Sequence, residues 1–134
     1  MPIIENAEMM DIGPQKVEVD LRDAKVVAGG SDKMARVSAH AVVRISDHPN
    51  DIIVAVEHLL HVNHSDVGRM ARNLLEAHIR SVLRSNPFEE AKDKIRTGIM
   101  VKNLMGMDLI KLGVTVDELV INELKLRGET SEVL

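Results

Sequence analysis

Six histidines are the first residues in this chain that could do chemistry. His58, His61 and His64 are spaced by three. Neighbours three apart on a helix can share a metal, but the third has rotated well away from the first, and Glu57 with His61 at four apart is the better pair. No coherent set of three ligands with supporting partners is readable, so an exposed helix end is the default and no metal is expected. The other nucleophile and phosphate signatures are equally thin. Ser65, Ser81 and Ser85 lack the strand-turn-helix context of an activated serine. No carboxylate pair falls beside a Ser, a His or a glycine-rich loop in a catalytic pattern. Gly29-Gly30 could cradle a phosphate, yet it is not followed by Lys-Ser/Thr and a helix; a hairpin turn is the better reading. Without cysteine there is no disulfide, thiolate metal site or thiol nucleophile. The residues therefore point to no enzyme, no catalytic residue and no cofactor.

Composition narrows the partners. The 134 residues suffice for one domain with a core, and 45% hydrophobic with 28% charged residues is an ordinary globular balance. Phe88 is the sole aromatic, so the core must be aliphatic. That weighs against base stacking, and the net charge of −4 weighs against a phosphate backbone, so no nucleic-acid partner is expected. The longest apolar run, Ile52 to Val56, is far below the ~18 residues of a membrane helix, and the N-terminus has no signal-peptide core. The segment by itself is expected to be soluble.

The elements follow from periodicity. Met9 to Ile12 is a weak extended piece stopped by Gly13-Pro14. Lys16 to Leu21 alternates, with Val17, Val19 and Leu21 on one face, and Lys25 to Ala28 leads into the Gly29-Gly30 turn. Residues 35–45 are the clearest strand, with Val37, Ala39, Ala41, Val43 and Ile45 on one face. Pro49 to His61 carries a helical stripe of Ile52, Ile53, Val56, Leu59 and Leu60. Ser65 is placed to cap a helix to about Ser85, with Val67, Met70, Ala71, Leu74, Leu75, His78 and Val82 inward, Arg80 and Arg84 outward, and Glu76 to Arg80 an ion pair. His78 on that apolar face reads as a packed neutral imidazole making one hydrogen bond, the sharper alternatives being a pH sensor or a ligand. Asn86-Pro87 restarts the chain, Asn86 as cap and Pro87 in the first helical position. A short helix over Phe88 to Lys94 and a longer one to Leu112 follow, ended by Gly113 as a left-handed cap. Met100, Leu104, Met105 and Met107 are read mostly as core, an adaptable Met-rich surface being the alternative. The last strand covers 114–126, with a phase flip at Asp117-Glu118 that implies a bulge. Residues 127–134 are expected to fray.

This order resembles the core domain of the stomatin, prohibitin and flotillin superfamily, the SPFH or band 7 domain, with its flotillin branch most similar. The residues that carry the resemblance are Leu75-Glu76-Ala77-His78-Ile79-Arg80-Ser81-Val82-Leu83, Phe88-Glu89-Glu90, Met107-Asp108-Leu109-Ile110-Lys111-Leu112-Gly113, and the strand Val114 to Leu124. Three places depart from the family pattern. His48 separates Asp47 from Pro49 at the strand-to-helix corner, Asp93-Lys94-Ile95-Arg96 only approximates an Asp-Arg pair, and Gly29-Gly30-Ser31-Asp32 replaces a charged turn.

The resemblance implies one α/β domain over 1–134: a mostly antiparallel N-terminal sheet covered on one face by two or three helices, with a final C-terminal strand. It also implies a non-catalytic, membrane-associated scaffold that forms large homo-oligomers and organises membrane microdomains. The membrane segment and coiled coil of such proteins are not in this sequence, so an excised core of a longer protein is expected, monomeric or weakly associating by itself. The alternative function is a small-molecule or lipid-binding module with an aliphatic pocket between sheet and helices.

Overall fold

The computed structural model describes residues 14–45 and 64–127. The expected segments at Met9–Ile12, the Asp47-His48-Pro49 corner, the helix at 49–61 and the tail beyond Arg127 lie outside these residues. So do the side chains of His58, His61, His64 and Ser65. Three long antiparallel strands, β1 (Gln15–Ala28), β2 (Ser31–Ile45) and β3 (Val114–Leu126), form a sheet in the order β1-β2-β3. Between β2 and β3 the chain forms α1 (His64–Ser85), α2 (Phe88–Ala91), α3 (Lys94–Leu109) and a 3₁₀ turn at Ile110–Leu112. This is the expected α/β arrangement.

The hairpin joining β1 to β2 turns on Gly29 and Gly30, at φ 60° and 80°. A two-residue turn of this hand needs positive φ at both positions, which glycine adopts at no steric cost. β1 is longer than the alternation at Lys16 to Leu21 suggests. Leu21 pairs with Val37 and Ala24 with Ala35, so Arg22 and Asp23 together oppose Arg36. This bulge flips the parity: Val17, Val19 and Leu21 are buried before it, and Ala24, Val26 and Ala28 after it. β3 carries two such insertions. Asp117 is the bulge its sequence foretold, and Asn122 is a second one. Each restores the buried face, so Val114, Ile121, Leu124 and Leu126 all point inward despite their mixed spacing.

One face of the sheet carries the helices. α1 lies over β1, and α3 lies over β3. The middle strand presents mostly small side chains upward: Ala35, Val37, Ala39, Ala41 and Val43, all buried. The large side chains come down from the helices: Leu75, Ile79 and Leu83 from α1, Val101, Met105 and Leu109 from α3. The buried stripe of α1 is therefore rotated from the expected one. Ile79 and Leu83 are at its centre, whereas Val67, Met70 and Leu74 are only partly buried at its margin.

The break between helices also differs from expectation. The Asn86 side chain reaches back to donate to the Val82 carbonyl at 2.9 Å and so closes α1 rather than opening α2. Pro87 sits at φ −59°, ψ 146°, outside the helix, and its carbonyl accepts the first bonds of α2. Phe88 is buried beneath it. Asp93 caps α3, its carboxylate accepting from the backbone N–H groups of Ile95 and Arg96 at 3.1 and 3.2 Å. The buried Thr97 hydroxyl donates to the Ala91 carbonyl and ties the two helices together. Gly113 ends the helical region at φ 77°, the left-handed cap expected of it.

Leu75 is fully buried and Arg84 exposed. Leu75→Ala is expected to lower stability by roughly 2–5 kcal/mol, and Arg84→Ala to change it by no more than about 0.5 kcal/mol. Urea unfolding of the two variants measures this. Equal losses would mean that α1 does not face the sheet in this rotation.

Candidate interaction surfaces

Among the described residues no catalytic constellation is assembled. Among the described residues no group of three His, Cys, Asp or Glu is placed to hold a metal. The interior between sheet and helices, where an aliphatic ligand pocket was the alternative expectation, is occupied by the side chains of Leu75, Ile79, Leu83, Met105 and Leu109. What the fold offers instead is a set of chemically distinct surfaces.

His78 sits at the edge of the buried stripe of α1 and brings its Nε2 within 2.7 Å of Asp108 Oδ2 on α3. An ionised carboxylate only accepts, so Nε2 carries the hydrogen and donates it. The pair fastens the two helices side by side, which makes His78 a polar clip rather than a ligand. Glu76 and Arg80 form the expected intrahelical pair at 3.2 Å, and Arg80 also reaches the Asp23 carbonyl at the β1 bulge. That second contact leaves Arg80 half-buried, unlike the exposed Arg72 and Arg84 on the outer face of α1.

The sheet face away from the helices is charged. Arg36 lies between Asp20 on β1 and Glu123 on β3, at 3.5 Å from each. Arg44 donates to the bulge residue Asp117 at 2.7 Å, and Asn122, the second bulge residue, meets His40 Nδ1 at 3.1 Å. Both bulges on β3 thus aim a polar side chain at β2. Exposed pairs of this kind contribute little each, about 0–1 kcal/mol; their effect is to keep this face polar.

A fourth feature is the cleft along α3 and β3. Met105 is buried and Met100 partly so, as a core reading requires, but Met107 is 65% exposed and Leu104 also faces outward. α3 carries apolar residues on both sides, with Lys94, Arg96 and Asn103 among them on the outer one. Its inner side carries Val101, Met105 and Leu109; its outer side carries Ile95, Ile99, Met107 and, just beyond its end, Ile110. Periodicity alone cannot separate the two. The cleft has two parts. One of ≈ 370 Å³ is bounded by Met107, Ile110 and Val114–Val116, and one of ≈ 270 Å³ by Ile95, Ile99 and Leu119–Ile121; Lys102 borders both.

At the opposite end of the sheet, the Gly29 N–H donates to the Glu89 carboxylate at 3.0 Å, joining the hairpin turn to α2. A bond from the Glu89 backbone N–H and the bond from Gly29 hold the Glu89 pKa below the ordinary carboxylate value, with Lys92 adding to the effect.

No protein-family model matches the chain. The chain is 25% identical over 126 residues to the flotillin-like protein FloT of Bacillus subtilis (strain 168), a match that covers 93% of this chain. It spans 24% of the length of that relative. The likeness is distant but runs through strands, helices and the final strand alike.

The lowered pKa of Glu89 makes one link in the fold acid-sensitive. A depressed folded pKa stabilises the fold above the unfolded pKa, and that contribution is lost as pH falls through the folded value. Glu89→Gln is therefore expected to have a lower urea midpoint than the parent at pH 7, with the gap closing as pH drops below the usual carboxylate range, about 4.3. A gap that stays constant down to pH 3 (on the order of one unit below that range) would show that the Gly29 contact does not depend on charge.

Proposed function

We propose that this chain is a flotillin-like core domain, of the SPFH or band 7 type, and that it serves as a non-catalytic scaffold. In this reading copies pack side by side into large assemblies at a membrane and organise its microdomains. The observation that carries the proposal is the likeness to flotillin-like FloT along nearly the whole chain, which agrees with the resemblance read from the sequence. The physical features are those a scaffold needs. The sheet has two edges, β1 and β3, the core is filled with its own side chains, and the surfaces differ sharply in character from one side to the other.

Among the described residues no helix is long and apolar enough to cross a membrane, which says nothing of strands. Membrane attachment in this reading comes from other segments, and they supply the local concentration that lateral contacts require. Weak contacts between tethered copies become effectively intramolecular, gaining avidity without any new interaction.

Tethering reproduces that condition. The chain is anchored through a terminal His-tag to vesicles carrying nickel-chelating lipid and treated with an amine-reactive cross-linker at increasing surface density. Products beyond the dimer are expected to grow with density, while the same protein free at micromolar concentration stays largely monomeric. Monomer alone at every density would contradict the scaffold reading.

A further inference from the structure

α1 carries its positive charge on one flank. From Arg69 to Ser85 it holds Arg69, Arg72, Arg80 and Arg84 and a single carboxylate, Glu76. At about 100° per residue the four arginines fall within an arc of roughly 120°. Two contacts fix where that arc points. His78, on the other flank, meets Asp108 of α3, while Arg80 meets the Asp23 carbonyl at the β1 bulge. The arginines therefore run along the side of α1 that overlooks β1, away from α3. Arg69, Arg72 and Arg84 are exposed. Arg80 is tied to Glu76 at 3.2 Å. Arg72 and Arg84 have no ion-pair or hydrogen-bond partner among the described residues.

We propose that this ridge rests on the anionic phospholipid headgroups of a membrane surface and orients the domain there. The inference rests on the membrane-scaffold reading and adds to it the face that meets the membrane and the lipid class it meets. The ridge is a line, not a pocket. Arg69 and Arg84 stand about 22 Å apart along the axis, so their guanidinium groups converge on no single small anion. A planar array of phosphates matches them, because each guanidinium fork can take phosphate oxygens in pairs. The exposed side chains between them, Asn73, Ala77 and Ser81, are short and leave the long ones free to reach outward. A protein partner would be expected to centre on an apolar or aromatic anchor, and α1 exposes no large hydrophobic residue among the described ones. A single-stranded nucleic acid would want stacking platforms, and the sole aromatic, Phe88, is buried. Each basic residue near an anionic membrane raises partitioning by roughly fivefold. Four arginines less one carboxylate give a gain on the order of a hundredfold. That is too little to anchor a protein and enough to orient one that is attached by other segments.

Cosedimentation of the chain with vesicles at low salt tests this. Retention is expected on phosphatidylcholine vesicles that contain phosphatidylserine, not on phosphatidylcholine alone, and it should fall as salt rises. Arg72→Glu with Arg84→Glu is expected to lower the partition coefficient by roughly thirtyfold or more. Lys94→Glu with Lys102→Glu, the same change of charge placed on α3, should leave most of the binding. Circular dichroism checks that both variants are folded. Equal loss in the two pairs, or binding indifferent to phosphatidylserine, would overturn the proposal. So would displacement by inorganic phosphate beyond that by chloride at equal ionic strength, which would assign the ridge to a soluble phosphate compound. Retention on a polyglutamate resin with none on the vesicles would assign it to an acidic protein and overturn it as well. Cross-linking of tethered copies does not depend on the ridge. No binding to anionic vesicles alongside intact cross-linking would therefore sink this inference and leave the scaffold reading standing, and binding without cross-linking would do the reverse.

Discussion

The fold depends on a difference in side-chain size across the core of the described residues. β2 gives the interior alanine at positions 35, 39 and 41, and the helices give Leu, Ile and Met. Small residues on the middle strand leave room above it, and α1 over β1 and α3 over β3 fill that room from both sides. With Phe88 as the sole aromatic, branched and unbranched aliphatic chains must interlock almost unaided to reach the density of a protein interior. The polar links are placed around this core: His78 to Asp108 between the helices, Thr97 to Ala91 at the turn between α2 and α3, and Glu89 to Gly29 between α2 and the hairpin.

That packing decides what each outer surface displays. Fixing Leu75, Ile79 and Leu83 inward leaves α1 with an arginine-bearing outer face. Fixing Val101, Met105 and Leu109 inward leaves α3 with an apolar one beside the edge strand. The bulges at Asp117 and Asn122 keep hydrophobic residues of β3 inward while sending polar ones to Arg44 and His40. The described surfaces thus differ in character from one side to the other, and the proposed scaffold role rests on such surfaces.

Much of this was legible in the sequence, for reasons that are specific. The alternation in Val37 to Val43, the Gly29-Gly30 turn, the bulge at Asp117 and the cap at Gly113 each rest on a local rule with one satisfactory outcome. The bulge at Arg22-Asp23 left a trace in the switch from odd to even buried positions along β1, but charged residues at the insertion hid it. The rotation of α1 is not legible in its periodicity, because its apolar residues cover more than the buried arc and run on to His78 at the margin. Asn86 and Asp93 are both competent caps, and which end each serves depends on the tertiary position of Pro87 and Phe88. α3 was hardest of all: with apolar residues on both sides, only the sheet beneath it says which side is buried.

Helix side chains occupy the space above the alanines of β2. Ala39→Leu measures this most directly, read by urea unfolding against Ser38→Leu on the opposite face of the same strand. Filled space above β2 predicts a loss of about 1–3 kcal/mol at Ala39, because added methylenes must displace helix side chains, and a change within about 0.5 kcal/mol at Ser38. An Ala39→Leu protein as stable as its parent, or more so, would mean that the space between sheet and helices is open, and would contradict the account.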